Sequence, residues 1–380
     1  MDLFDEMIEE LNKHLTCENQ NWLFGAGISC GANIPLMKTL TKRVENLLPD
    51  GDLKNLYNTI SNDLTDNYHI EHVLSHIGDL IALSTRSRFG SVELKGTAHA
   101  TDELVKLHSE LVQQIGTTIR YGYSGADTAG GIPERIGSLE NPIVDINNHR
   151  NFVKALLSSR ANLLARSSIS IITTNYDTLM EDAFALEKMK VNDGFTGAAI
   201  GFWNPEMAFK DTSGISVIKL HGSVDWFKTD NGLIRNRYGV NYLDNSSDVL
   251  IYPQATKYVE TQKDPFATLF TKFRERLNSP LENVTICAGY SFGDYHINSE
   301  VDIALKLPGN KTTLIVFIDD INDVLSTWLR DKRIMEKIFV LTGKGIYHGS
   351  DNLICKSGMN TLNWWKFNNL VRFLKDGEAL

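Results

Sequence analysis

Leu3, Phe4, Met7, Ile8, Leu11 and Leu15 recur at helical spacing, with acids ahead of them and Lys13 and His14 behind. That order suits a helix macrodipole, and the spacing predicts an amphipathic helix that docks on the chain's own core or receives a partner. Asn21-Trp22-Leu23-Phe24 is a short apolar run ending in Gly25-Ala26-Gly27-Ile28-Ser29, which reads as a strand running into a glycine turn. A helix is expected over about 37–48. From 52 to 165 the pattern is mainly helical. Ile70, Val73, Leu74, Ile77, Leu80 and Ile81 mark one apolar face, and Leu104, Leu107, Leu111 and Ile115 mark another. The Gly-, Ser- and Thr-rich stretch 121–133 reads as a mobile loop.

A strand-rich half follows. The β-branched and apolar runs 168–173, 215–220, 284–288, 313–318 and 338–341 are short, bounded by turns and separated by helical stretches. Such runs predict buried parallel strands. With 21–24 they make about six, the count of an α/β, Rossmann-like, doubly wound parallel sheet. After His221, Val224-Asp225-Trp226-Phe227 and Leu233-Ile234-Arg235 flank Asp230-Asn231-Gly232 and predict a hairpin on the sheet's margin. Three divisions are expected. Residues 1–51 carry the first helix, strand and glycine loop, 52–165 form a helical insertion, and 166–380 supply the rest of the sheet.

Composition narrows the function classes. The chain has 380 residues, with 42% hydrophobic and 22% charged, the balance of an ordinary globular protein with a sizeable core. Lys plus Arg is 38 against 47 for Asp plus Glu, a formal charge of −9. An acidic chain does not suit general binding to a phosphate backbone, so direct nucleic-acid binding is not expected. Cys17, Cys30, Cys287 and Cys355 form no CxxC pair, so neither a zinc ribbon nor another metal site is expected. The spread cysteines fit a reducing compartment. Asp2, Asp5, Glu9 and Glu10 precede any basic residue, the reverse of a secretory leader. No apolar run approaches the ~20 residues of a membrane span, so the expected location is the cytoplasm.

Five segments close predicted strands. Gly25-Ala26-Gly27-Ile28-Ser29 lets backbone approach a ligand, and N–H groups at a following helix start attract phosphate; a plain strand-to-helix turn is the alternative. It lacks the third glycine of the dinucleotide fingerprint, since Cys30 stands there, so an ordinary dehydrogenase fits poorly. Thr173-Thr174-Asn175-Tyr176-Asp177 offers an amide and a carboxylate, which serve either a ligand or a helix cap. Lys219-Leu220-His221-Gly222-Ser223 places a histidine that can act near neutral pH or be structural. Gly289-Tyr290-Ser291-Phe292-Gly293-Asp294 and Asp319-Asp320 complete the set. Asp319 can accept a ribose hydrogen bond or sit in a solvated turn. All five can face one crevice.

In this order the segments resemble the sirtuin family. The resemblance rests on Gly25-Ala26-Gly27-Ile28-Ser29 with Asn33-Ile34-Pro35, then Thr174-Asn175-Tyr176-Asp177, His221-Gly222 and Gly289-Tyr290-Ser291. It implies a Rossmann-like sheet and cleavage of NAD at its nicotinamide bond. Departures separate the chain from the protein-deacylating branch. Leu36-Met37-Lys38 stands where that branch has Asp-Phe-Arg, Thr173-Thr174-Asn175 stands for Thr-Gln-Asn, and the two CxxC pairs are missing. Ile70-Glu71-His72-Val73-Leu74-Ser75, Asp193-Gly194-Phe195 and Tyr290-Ser291-Phe292-Gly293-Asp294 with His296-Ile297-Asn298 are similar instead to the sirtuin-like NAD hydrolases of bacterial antiphage defence. The arrangement is most similar to the stand-alone form encoded beside a HerA-type hexameric ATPase.

The resemblance implies NAD as substrate, with the following roles. Asn175, His221 and Asp177 are catalytic: Asn175 orients ribose and water, His221 bonds ribose hydroxyls and accepts a proton, and Asp177 holds the nicotinamide carboxamide. Gly25, Ala26, Gly27 and Ser29 receive the pyrophosphate. Pro35 and Thr174 line the site, as does Gly289, and Ser291 and Asp319 bind the adenosine side. The expected activity is NAD hydrolysis to nicotinamide and ADP-ribose, restrained by homo-oligomeric assembly or activated by a partner, with regulation by assembly with the ATPase. An NAD-dependent deacylase and a non-catalytic NAD-binding scaffold are the alternatives.

Overall fold

The computed structural model describes residues 3–126, 131–157, 168–210, 214–230, 232–237, 249–251, 264–356 and 361–377. Residues 127–130 of the expected loop, the boundary at 165/166 and Asn231 of the expected hairpin turn lie outside them.

The frame is a nine-stranded sheet. In chain order its strands are β1 (Asn19–Phe24), β2 (Ser168–Thr173), β3 (Val191–Asn192), β4 (Gly214–Lys219), β5 (Asn283–Ala288), β6 (Thr312–Phe317), β7 (Ile338–Thr342), β8 (Gly345–His348) and β9 (Leu353–Ile354). The spatial order is β9-β8-β7-β6-β5-β1-β2-β4-β3. Strands β7 through β3 in that order are parallel, and β8 and β9 add an antiparallel edge. The six strands expected from sequence are all present. The three additional ones, β3, β8 and β9, are short strands at the two margins, too brief to show a period.

Alternation along the central strands sorts their side chains to two faces. Trp22, Phe24, Ile171, Val217, Ile286, Ile315 and Phe339 point to one core, shared with Phe4 and Leu11 of the helix Leu3–Leu15 and with Phe152, Phe184 and Leu370. Leu23, Ile172, Ile218, Cys287, Val316 and Val340 point to the other, covered by Phe270, Phe273, Ile297 and Leu325. Helices therefore cover both faces, which makes the α/β sheet Rossmann-like and doubly wound. The N-terminal helix docks on the chain's own core, with the Phe4 ring stacked on Trp364 at 5.9 Å.

A third core joins Leu40 and Val44 to Tyr57, Val73, Ile77, Leu107, Leu111 and Ile115. The helix Met37–Leu47, on the near side of the expected boundary at 51/52, shares this core. Asn147–Leu157, on the insertion side of 165/166, packs on the sheet instead. The insertion also holds two small hairpins, Ser91–Leu94 with Thr97–Ala100 and Tyr123–Ser124 with Arg135–Ile136. The expected hairpin is present as Gly222–Thr229 with Gly232–Asn236, but it is not on the main sheet's margin. It belongs to a separate five-stranded sheet with Phe195–Gly197, Ile200–Trp203 and Val249–Ile251. Five short strands stacked against one another give its backbone groups partners that a sheet edge alone would not.

Register decides where the site forms. Phe24 pairs with both Thr173 and Ala288, Thr173 pairs with Lys219, and Ala288 pairs with Phe317. The loops after β1, β2, β4, β5 and β6 therefore leave the sheet at one level. Between β1 and β5 the chain reverses its direction of winding, the switch point at which ligands of such sheets bind.

Candidate active site

A cavity of about 810 Å³ opens at that rim, within the size range of sites for small ligands and cofactors. It is lined by every residue given a catalytic or binding role from the resemblance: Gly25, Ala26, Gly27, Ser29, Pro35, Thr174, Asn175, Asp177, His221, Gly289, Ser291 and Asp319.

The glycines bring two loops into backbone contact. Gly25 N–H donates to Ala288 O at 3.1 Å and Gly27 N–H to Gly289 O at 2.9 Å. A Cβ on Gly25 would stand 2.5 Å from Gly289 O, and one on Gly289, whose φ is +63°, would stand 2.4 Å from Ile28 N. Ser29 N–H is also occupied, donating to Ala26 O at 3.1 Å. The N–H groups of Gly25, Gly27 and Ser29, expected to meet a phosphate, hold the loop itself in the fold. Gly27–Cys30 is a single turn of helix. Lys38 and Lys366 are exposed cations on the cavity lining.

The loop after β2 carries a buried polar chain. Asn175, Asp177 and Ser29 are each less than a tenth exposed. Ser29 Oγ donates to Asp177 Oδ2 at 2.8 Å and receives Asn175 Nδ2 at 3.1 Å. Because the Ser29 hydrogen goes to a carboxylate, the hydroxyl must accept from the amide, and this fixes the Asn175 orientation. Asn175 Oδ1 has no hydrogen-bond partner among the described residues. An acceptor left in this state fits a ligand or water that donates to it. Asp177 Oδ1 also receives Leu179 N–H at 3.1 Å and so braces the turn into the helix Leu179–Leu186, whose N-cap position is Thr178 and not Asp177. Beneath it, the buried Lys219 ammonium donates to the Asp177 carbonyl and stands 3.3 Å from Glu181 Oε1.

His221 follows β4 and is 3% exposed. Its Nε2 lies 3.0 Å from Asp294 Oδ2. Asp294 Oδ1 caps the helix Tyr295–Lys306, receiving His296 N–H at 3.0 Å and Ile297 N–H at 3.4 Å. Its partnership with His221 was missed in the sequence, although the Gly293-Asp294 step before an apolar helix marks a cap. Asp319 lines the cavity, whereas its neighbour Asp320 turns away to Lys344 at 2.7 Å.

Two further contributions were not anticipated. Glu71 enters from the helix Ile70–Arg86 and accepts from the Tyr176 phenol. Burial, reinforced by Glu71, pushes the Tyr176 phenol well above its usual range, so it stays a donor. Trp365, Lys366, Phe367 and Asn368 close the cavity from the C-terminal side, and the paired tryptophans at 364–365 were the only signal for them.

Among the described residues no group of three or more His, Cys, Asp or Glu is placed to hold a metal ion. Nor is any described helix long and apolar enough to cross a membrane. Residues 169–336 match the family model described as a SIR2-like domain, which supports a sirtuin-like family and NAD-related chemistry for this chain. The matched segment holds Asn175, Asp177, His221, Gly289, Ser291, Asp294 and Asp319, but neither the Gly25–Ser29 loop nor Glu71. No curated protein matches the chain.

Proposed function

We propose, from the premise that residues 169–336 form a sirtuin-like domain, that the chain is an NAD glycohydrolase releasing nicotinamide and ADP-ribose. The observation that carries this reading is the meeting of Asn175, Asp177 and His221, from two strand ends, in one dinucleotide-sized cavity beside the Gly25–Ser29 and Gly289–Ser291 loops.

The chemistry asks little of an acid. Nicotinamide is cationic while attached and leaves neutral, so the paired carboxylates of ordinary glycosidases are not required. The site must hold the ribose, support a cation-like transition state and admit water. Asn175 Oδ1, pre-oriented through Ser29, is the acceptor for ribose or water. Asp294 can only accept, so Nε2 of His221 carries the hydrogen between them, and the ring held in this way serves to bond a ribose hydroxyl. Asp177 binds the carboxamide through its remaining lone pairs, and Ser291 and Asp319 serve the adenosine side. Lys38 and Lys366 supply positive charge for the pyrophosphate where the loop N–H groups are engaged.

The wider reading includes defence by NAD depletion, homo-oligomeric assembly and control by a HerA-type ATPase. Leu83 and Phe89, large apolar side chains exposed on the insertion, are consistent with a contact surface there. The test is to incubate the protein with NAD, with and without an acetylated peptide and with and without the ATPase, and to resolve the products by chromatography. The reading expects nicotinamide and ADP-ribose without peptide. Release only with acetylated peptide favours a deacylase, and tight NAD binding without cleavage, even with the ATPase, favours a scaffold.

A further inference from the structure

Four carboxylates line the cavity: Glu71, Asp177, Asp294 and Asp319. Asp177 and Asp294 each use both oxygens inside the protein, and Asp319 is exposed. Glu71 differs from all three. It is 3% exposed, one oxygen is held by Tyr176, and Oε2 has no hydrogen-bond partner among the described residues. Its position is also informative. Tyr176 stands between Asn175 and Asp177, and its ring lies 6.4 Å from that of His221. Glu71 is therefore at the end of the cavity where those groups gather, and the first helical turn it occupies favours a negative charge. A buried carboxylate oxygen without a donor is costly, and one retained in a ligand-sized cavity is explained when the ligand or its water supplies the donor.

Hydrolysis supplies such a donor. Water oxygen bonds to the ribose carbon, the carbon–nitrogen bond breaks with its electron pair going to nicotinamide, and one water proton must be taken up. Resting on the reading of this cavity as a site of NAD cleavage, we propose that Glu71, contributed by the helical insertion, is the catalytic base whose Oε2 takes that proton. His221 and Asp294 then hold the ribose. The insertion thereby completes the site and does not merely flank it.

The test is Glu71→Gln, which keeps an acceptor for Tyr176. Turnover is expected to fall by about a hundredfold or more, with NAD affinity nearly unchanged. Azide is an anionic nucleophile with no proton to lose. It should restore turnover in Glu71→Gln, giving azido-ADP-ribose, and should not restore His221→Ala. Turnover within about threefold of wild type, well below the usual contribution of a general base, overturns the proposal, as does a loss that azide leaves unchanged. If Glu71→Gln melts below wild type, Glu71→Ala with added formate, a replacement base, carries the test, and failure of both azide and formate to raise its turnover overturns the assignment. Wild-type protein that releases no nicotinamide overturns the underlying reading. An active wild type with azide-insensitive variants overturns Glu71 alone.

Discussion

The Ser29 hydroxyl donates to Asp177 Oδ2 at 2.8 Å, and that bond decides which way the Asn175 amide faces. Ser29→Ala removes the donor to a buried carboxylate and frees the amide to turn. Such a loss is worth about 1–3 kcal/mol, or roughly fivefold to 150-fold. Steady-state kinetics should show kcat reduced by that factor. Unchanged kcat would mean that the amide orientation does not matter.

Asp294 has two separable tasks. Asp294→Asn keeps an oxygen for the helix cap and should leave stability within about 0.5 kcal/mol, whereas Asp294→Ala should cost about 1 kcal/mol in urea unfolding. Both variants lose the carboxylate that faces His221 Nε2, so both should lose activity. Full activity in Asp294→Ala would show that His221 needs no partner.

Much of this arrangement is legible in the chain itself. The runs at 168–173 and 284–288 read as strands because burial on two faces leaves no charged position in them and favours β-branched residues. Asn175 and His221 stand out because they come within two residues of the ends of such runs, 168–173 and 215–220. Asp294 and Glu71 were harder to read. A capping aspartate looks the same whether or not its second oxygen holds a histidine, and Glu71 lies on a helix whose apolar face explains the local pattern without it. Contacts such as Tyr176 with Glu71, 105 positions apart, are set by how two cores meet, which no local period encodes. The small hairpin at 91–100 is hard to read for the opposite reason: its strands are short, and Leu94 alone of their positions is buried.

Lys219 is 1% exposed and holds both the Asp177 carbonyl and Glu181. Burial raises the Glu181 carboxyl, and Lys219 is the strongest influence pulling it back down. Lys219→Met leaves a buried acid without its strongest cation, with Arg237 alone still acting on it, a change that costs about 3–5 kcal/mol. Urea unfolding should show the loss. A cost under about 1 kcal/mol, the range of exposed pairs, would show that the pair is not coupled.

His149 is fully buried, and neither ring nitrogen has a hydrogen-bond partner among the described residues. Burial lowers its imidazole below the usual 6.5, against the upward pull of Asp177 and Asp145. With the folded value below the unfolded one, the unfolded chain takes the proton more readily. Stability from this group is complete above 6.5 and is lost as pH falls through that value towards the folded one. Thermal melts at about pH 7.5 and about pH 5.5, either side of the unperturbed histidine value, should show a larger drop for wild type than for His149→Leu. His14, lowered by burial as well, contributes equally to both proteins and cancels. Equal drops would contradict the assignment.

The most direct test of the central claim follows nicotinamide and ADP-ribose release from NAD by chromatography for wild type, Asn175→Ala and His221→Ala at matched thermal stability. The account predicts both products from wild type and near-complete loss from either variant. Near wild-type turnover in either one would contradict the claim that the amide and the imidazole act on the same sugar.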